Sequence, residues 1–434
     1  MYRIYIKNPG EERICIYDDV SPLKELKVSS PNLSLEDNSA GSLTMTISEL
    51  NPGYDAIKIL TTDISVWRKY STGYKEIWRG RAITDDRDFW NNRSLHCEGA
   101  LAFLNDTYQP QKEYHIYNSD HPTYPSMVSA FIGALIDIHN AAVPENRQFI
   151  VDADSVVGFD DGSIEDGRGT VQQIYRYTNF DTTLNSIIND TVNKLGGHMY
   201  VEFKDDGKMY LRYRETCIQN DTQKIEFGKN ITDLTKNWDI SEFATAVLAL
   251  GERIDDENQN DVLEHYTTVD SAKVVADSNS VTGFLGKSTG VAYSSLFPSV
   301  SDKWKAFYVF NPTTVAKYGW IAQRVEWDDV SNPNTLYNRA VTYLTLVSAD
   351  NLYVELNAFD LSYYNIDIGA INFLDKVMVV SKPHGINNVS DASKLYFDVT
   401  KLEIPLDAPE NSVIGLGKDM NASGLSKQAS QKAK

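Results

Sequence analysis

Cysteine is scarce in this 434-residue sequence: Cys15, Cys97 and Cys217 stand far apart, with no CxxC pair among them. Neither a disulfide framework nor a zinc cluster can be written from such spacing, so the three read as buried, reduced and inert thiols. Proline is sparse as well, 14 residues against 25 tyrosines, which excludes a low-complexity fibre. Basic residues are outnumbered 60 to 41, and the resulting formal charge of −19 repels phosphate backbones and argues against a nucleic-acid reader. Long apolar runs are missing. The richest, Met127 to Ile138, is broken by Ser129, Gly133 and Asp137. It falls short of the roughly 20 residues a bilayer requires and reads as a buried helix, so no membrane span is expected. The opening MYRIYIKNPGEE alternates in polarity and carries Arg3 and Lys7, unlike the continuous apolar region of a secretory signal.

What is present is folded, strand-rich sequence. Hydrophobic residues make up 42% and aromatics 11%, and at about 150 residues per domain the length suggests about three domains. Tyr2, Ile4 and Ile6 share one face, Ile14 and Ile16 follow an Asn8-Pro9-Gly10 turn, and Leu43, Met45 and Ile47 alternate with threonines. This period of two predicts half-buried antiparallel strands. Ile64 to Ile83 predicts a hairpin turning at Ser71-Thr72-Gly73, and a small barrel or sandwich is the natural closure. A helix is expected from Thr182 to Leu195, with Leu184, Ile187, Ile188, Val192 and Leu195 in one stripe, Asp181 as its cap and Gly196 as its stop. It leads into a second hairpin, Met199 to Tyr213, turning at Asp205-Asp206-Gly207. Leu336, Ala340, Tyr343, Leu344 and Val347 define a further amphipathic helix, and strands return at Leu352 to Leu356, Val377 to Val380 and Tyr396 to Ile404. The late strands resemble the early ones as a set, which suggests an internal barrel repeat.

The fold class is α+β and multi-domain. A first β-barrel domain is expected over 1–110, completed by about 225–255, with an inserted α+β domain over 111–224. A second, mixed insertion with a helix at 334–348 occupies 256–350. Second-barrel strands fill 351–417, and 418–434, rich in Ala, Ser, Gln and Lys, forms a flexible tail or connector.

Chemistry is hard to place. Gly286-Lys287-Ser288-Thr289-Gly290 satisfies G-x-S-x-G, but loop formers precede it where a hydrolase elbow needs a buried strand. A phosphate loop fails too, because Val281 stands where its first glycine belongs. The histidines, His96, His115, His121, His139, His198, His265 and His384, form no HExxH and no close helical pair. His115 and His121 beside Asp120 admit a transition-metal reading, against the plainer one of a polar turn. Asp160, Asp161, Glu165 and Asp166, and Asp255, Asp256 and Glu257, offer hard oxygens for calcium without EF-hand spacing, and read as solvated acidic loops. Asp85 and Asp86 read as loop charges. Trp67, Trp78, Trp90, Trp238, Trp304, Trp320 and Trp327 could line a sugar-binding face, although core or interface use is commoner. No catalytic, cofactor-binding or metal residues are assigned, and no cofactor is expected.

Several longer motifs occur in order: Gly80-Arg81-Ala82 with Asp88-Phe89, CEGALAFLND from Cys97 to Asp106, KLGGHMYVEFKDDGKMYLRY from Lys194 to Tyr213, and IEFGKNITDL from Ile225 to Leu234. Later come Tyr318-Gly319, VEWDDV from Val325, Ala358-Phe359-Asp360-Leu361, VSKPHGI from Val380 and VTKLEIPLDAPE from Val399 to Glu410. Through these the chain resembles the tail-associated hub proteins of long-tailed phages and prophages, a group often labelled prophage tail endopeptidase. Leu374-Asp375 departs from the Gly-Asp expected before the late strand.

The resemblance implies an architecture like the baseplate hub of contractile-tail phages: two β-barrel domains per chain with α+β insertions. Three chains would form a ring that meets the six-fold tail tube. Implied partners are further copies in a homotrimer, the distal tail protein, the tape-measure protein and receptor-binding or fibre proteins. DNA would pass transiently through an acidic lumen, and the location is the distal tail or baseplate of a virion made in the host cytoplasm. Many relatives continue into a fibre, adhesin or peptidoglycan hydrolase, whereas this sequence stops soon after the last motif, so no enzyme activity is expected. The alternatives are a cell-wall endopeptidase, a host-glycan adhesin and the hub of a tailocin-like particle.

Overall fold

Alternation sets the first strands. In β1 (Tyr2–Lys7) the residues Tyr2, Ile4 and Ile6 are buried and their neighbours are not; each such side chain contributes about 1.5–3 kcal/mol when withdrawn from water. β2 (Ile14–Asp18) returns after Gly10, and β3 (Ser29–Glu36) and β4 (Ser42–Ile47) form the next pair. β5 (Asp63–Tyr70) and β6 (Gly73–Arg87) make the expected hairpin, with Gly73 at φ +122°, a value side-chain-bearing residues rarely adopt. β7 (Arg93–Gly99) pairs with both β4 and β6. The structure, a computed structural model, describes residues 1–114, 126–159, 163–165, 171–173, 176–237, 243–251, 253–254, 265–266, 286–289, 307–327, 330, 333–348, 353–358, 360–363, 368–384, 386 and 396–417. The tail at 418–434 lies outside them.

The chain divides into two compact units: 1–161, 177–237 and 353–422 form one, and 162–176, 238–352 and 423–434 the other. The first unit contains an α+β module. Helix α1 (Met127–Ala142) starts at Ser126, whose hydroxyl and that of Ser129 cap each other's backbone N–H. It is buried almost all round, with Phe131, Leu135 and Ile136 inside. The next helical segment differs from expectation in two places. Its cap is Thr182 and not Asp181, because the Thr182 hydroxyl accepts from the Asn185 N–H. It also breaks at Thr191 into α2 (Thr183–Asp190) and α3 (Val192–Leu195), where the Thr191 hydroxyl bonds back to the Ile187 carbonyl. Gly196, at φ +74°, ends it. The hairpin β8 (His198–Phe203) and β9 (Met209–Arg214) follows, and Met199, Met209, Leu211 and Tyr213 pack with the α1 residues in one core.

Two further strands, β10 (Ile218–Glu226) and β11 (Ile231–Asn237), lead out of this module. The second unit then contributes β12 (Ala246–Leu250), β13 (Gly286–Thr289), β14 (Phe307–Phe310), α4 (Pro312–Tyr318), β15 (Ala322–Glu326) and α5 (Pro333–Ser348). These four strands pair in the order β13-β14-β12-β15. Leu336, Ala340, Tyr343, Leu344 and Val347 of α5 bury against Val247, Val309 and Val325.

The chain returns to the first unit with β16 (Tyr353–Ala358), β17 (Asp375–Val380), β18 (Tyr396–Pro405) and β19 (Val413–Leu416). Here strand pairing runs from the early strands into the late ones. β18 pairs antiparallel with β3, Leu402 opposite Leu35 and Ile404 opposite Leu33, so early and late strands join in one thirteen-stranded sheet ordered β11-β16-β19-β18-β3-β4-β7-β6-β5-β1-β2. β17 pairs with β18 and, in parallel, with β10. Among the described residues no ring of strand pairing closes; side chains span the gap instead.

Candidate functional site: a buried polar junction and an exposed aromatic tip

Side chains on β1, β2 and β5 reach segments that follow β16 and β18. Tyr17 Oη donates to the Leu406 carbonyl at 3.1 Å, and Tyr70 Oη donates to Asn372 Oδ1 at 2.8 Å. At the centre lies Arg68, whose side chain is 4% exposed, against Asp360 at 7%. Arg68 Nη2 meets Asp360 Oδ2 at 2.5 Å, and Nη1 donates to the Ile371 carbonyl at 2.9 Å. Asp360 also accepts from Gln223 Nε2 and from the backbone N–H groups of Ser362 and Ile371. Burial pushes the Asp360 carboxyl up, but the Arg68 charge, the Gln223 amide and these hydrogen bonds outweigh it and hold it below the usual carboxylate range. Tyr2 and Tyr363 share a 2.5 Å hydrogen bond beside the pair, and burial pushes the Tyr2 phenol well up. Buried charge of this kind is tolerated because nearly every polar atom is engaged.

The sequence motifs serve the same scaffold. Gly80 and Gly99 face each other across β6 and β7, and the Trp78 indole lies against both. A Cβ on Gly80 would come within 2.0 Å of the Glu98 carbonyl oxygen, and one on Gly99 within 1.8 Å of that of Ala40. Arg81 then locks the two motifs together, with both Nη atoms on the Asp106 carboxylate at 2.6 and 2.7 Å and Nε on Glu98 at 2.8 Å. In the α+β hairpin the buried Arg212 binds Asp152 and Glu202; burial pushes Asp152 up, but Arg212 and the Ser155 hydroxyl outweigh it and hold the carboxyl at about 2. Leu374 occupies the left-handed region at φ +63°, where the resemblance implied glycine, and keeps its side chain buried at 8% exposure.

One surface feature contrasts with this interior. Between β6 and β7, Phe89 and Trp90 are 90% and 76% exposed and pack edge to face on one another at 5.6 Å. Their loop is well braced. Asp88 accepts from the Trp90 and Asn92 backbone N–H groups at 2.8 Å, and Asn91 reaches Glu49, next to the exposed Leu50. A braced, exposed aromatic pair is suited to protein contact.

Ser288 lies in β13, opposite Tyr308 of β14, and not on a strand-to-helix turn. His139 is buried, with Thr107 on Nδ1 and the Arg147 carbonyl on Nε2, a satisfied core histidine. His384 pairs with the Ser381 hydroxyl, and His96 is exposed on β7. His265 stands on a two-residue strand. Asp85 is a strand residue bound to Arg93, and Asp86 also lies in β6, so neither is a loop charge. Trp78, in β6, and Trp327 are buried, and Trp90 and Trp320 are exposed. His115, Asp120, His121, Asp160, Asp161, Asp166, Asp255, Asp256, Glu257, Trp238 and Trp304 lie outside the described residues.

One grouping has no signal in the sequence. The ligand atoms of His198, Cys217 and Asp398 lie within 4.8 Å of one another. Burial pushes the Cys217 thiol up, and the Asp398 and Asp37 carboxylates push it the same way. Cys217 and Cys15 are half-buried, whereas Cys97 alone is fully buried as expected of all three.

No family model and no curated protein matches the sequence. Solved structures do. The chain is similar to prophage tail protein gp18 from Listeria monocytogenes EGD-e, with a TM-score of 0.52 and 11% identity over 99% of this chain and 98% of that one. It is similar also to the 43 kDa tail protein of prophage MuSo2 from Shewanella oneidensis, with a TM-score of 0.54 and 9% identity over 96% and 98% of the two chains. The chain thus has the fold of these prophage tail proteins from end to end.

Proposed function

We propose that the chain is a structural protein of a phage tail, the hub at its distal end. The observation that carries this reading is the fold shared with two prophage tail proteins over nearly the whole of each chain. In this reading the strand sets on either side of the β3–β18 seam act as two barrel-like halves. Three chains present six such halves to the tail tube and the distal tail protein. The tape-measure protein ends beside the ring, receptor-binding or fibre proteins attach to it, and DNA leaves through a lumen that part of the −19 charge keeps free of phosphate adhesion. The role is mechanical and not enzymatic: buried polar locks such as Arg68–Asp360 stiffen each chain of the collar, and a shift of the ring opens it.

The Phe89–Trp90 tip supplies an assembly contact, since interface cores favour exposed aromatic anchors. The test is electron microscopy and ultracentrifugation of the purified chain alone and with tail tubes bearing the distal tail protein. A trimeric collar on the tube end is expected, and a chain that stays monomeric in both settings overturns the reading. Replacing Phe89 and Trp90 with serine should leave the melting temperature unchanged and abolish docking; unchanged docking removes the tip from the interface. Release of muropeptides from peptidoglycan by the purified chain would overturn the non-enzymatic role.

A further inference from the structure

His198, Cys217 and Asp398 come from three separate stretches of the first unit: the start of β8, the link after β9, and β18. Their surroundings are arranged as metal sites are. His198 Nδ1 lies 2.7 Å from Asp37 Oδ2, so Nε2 is the ring nitrogen left for an ion, and the carboxylate fixes both tautomer and ring orientation. The loop after β3 that carries Asp37 is itself clamped. Asn38 Nδ2 donates to the Gly197 carbonyl and Asn38 Oδ1 accepts from the Met199 N–H, one on each side of His198. The Asp37 N–H donates to the Thr400 carbonyl, two residues beyond Asp398. Asp398 Oδ1 is buried from water and has no hydrogen-bond partner; its neighbour is Lys376 Nζ at 3.8 Å, on a side chain 35% exposed and able to swing into solvent.

We propose that His198, Cys217 and Asp398 bind a divalent transition metal of the zinc class, with Asp37 as the orienting carboxylate. Imidazole and thiolate together select zinc over magnesium or calcium, and three protein ligands leave a fourth position for water. Ligands at zinc distances sit roughly 3.3–3.8 Å apart, so side-chain rotation of about 1 Å closes the set. On binding, Cys217 S–H gives its proton to solvent and the thiolate sulfur donates an electron pair to the metal; no oxidant or reductant is involved. The ion ties the α+β hairpin to the late strand of the large sheet. This assignment does not depend on the tail role.

The experiment uses the full chain freed of metal and titrated with Co2+, then Zn2+. One equivalent of cobalt should give a thiolate-to-metal charge-transfer band that zinc abolishes. The band should be lost in Cys217→Ser, weakened in His198→Ala and kept in Cys15→Ser and Cys97→Ser. Asp37→Asn should keep the band while lowering affinity about 10- to 100-fold. Because Cys217→Ser could itself unfold, zinc protection of thiols from alkylation is mapped in the unmodified chain, where Cys217 should be the residue shielded. No band, a band that follows Cys15 or Cys97, or a Cys217 alkylated equally with and without zinc would each overturn the proposal.

Discussion

Replacing Arg68 with methionine should be among the most damaging single changes in this protein. The substitution keeps most of the side-chain volume but strands Asp360, whose side chain is 7% exposed, with only Gln223 and two backbone N–H groups to hold a full charge. Breaking a buried pair in this way costs about 3–5 kcal/mol, a large fraction of the roughly 5–15 kcal/mol that keeps a domain folded. The pH dependence should change sign. In the native protein the Asp360 carboxyl lies below its unfolded value of about 3.9, so its contribution is complete above that pH and is lost as pH falls through the lower folded value. Without Arg68, burial dominates and the folded carboxyl rises above about 3.9. The variant then loses stability as pH climbs from about 4 toward the raised value, and its deficit is smaller at pH 4 than at pH 7. Adding Asp360→Asn removes the stranded charge and should recover about 2 kcal/mol relative to the sum of the single changes. Guanidinium unfolding followed by tryptophan fluorescence at several pH values measures all of this. A cost below about 1 kcal/mol, a deficit independent of pH, or strict additivity would refute the argument.

Three further outcomes follow from the scaffold. Gly99→Ala should cost about 3 kcal/mol or more, since φ there is an ordinary −78° and the penalty comes from driving a methyl into the Ala40 carbonyl; a neutral result in thermal unfolding would show that β7 can shift freely. Leu374→Gly relieves left-handed strain of about 1 kcal/mol but gives up a buried leucine worth about 2–3 kcal/mol, so the melting temperature should fall, and a rise would show that strain outweighs packing. Asp152 should titrate at about 2 by carbon-13 NMR, and the stability it contributes should be present above about pH 4 and vanish as pH falls toward 2; a midpoint near 4 would remove Arg212 as its partner.

Much of the local structure was legible because it is written in short-range alternation. The β1, β4, β5–β6 and β8–β9 patterns and the glycine stop at Gly196 need only neighbours a few residues away. The cap at Thr182 and the break at Thr191 leave no periodic mark, because capping and back-bonding depend on which hydroxyl reaches which backbone group, a matter of one residue. The likeness of the early and late strand sets says nothing about which edge meets which. The β3–β18 register, with Leu33 against Ile404, is a long-range choice without a local mark. For the same reason Asp360 was visible as part of a motif but its partner Arg68 was not, and His198, Cys217 and Asp398 could not be gathered from their spacing.

The seam between β3 and β18 also bears on how the chain is made. Tyr17 and the backbone it grips at Leu406 are 389 residues apart, and at about 5–20 residues per second a ribosome needs roughly 20 to 80 s to supply the second after the first. Throughout that interval β3 offers a bare hydrogen-bonding edge to any neighbouring nascent chain. Yield in the host should therefore hinge on what shelters that edge during translation, and a circular permutant that begins near Tyr396 should fold from the ribosome with fewer aggregates.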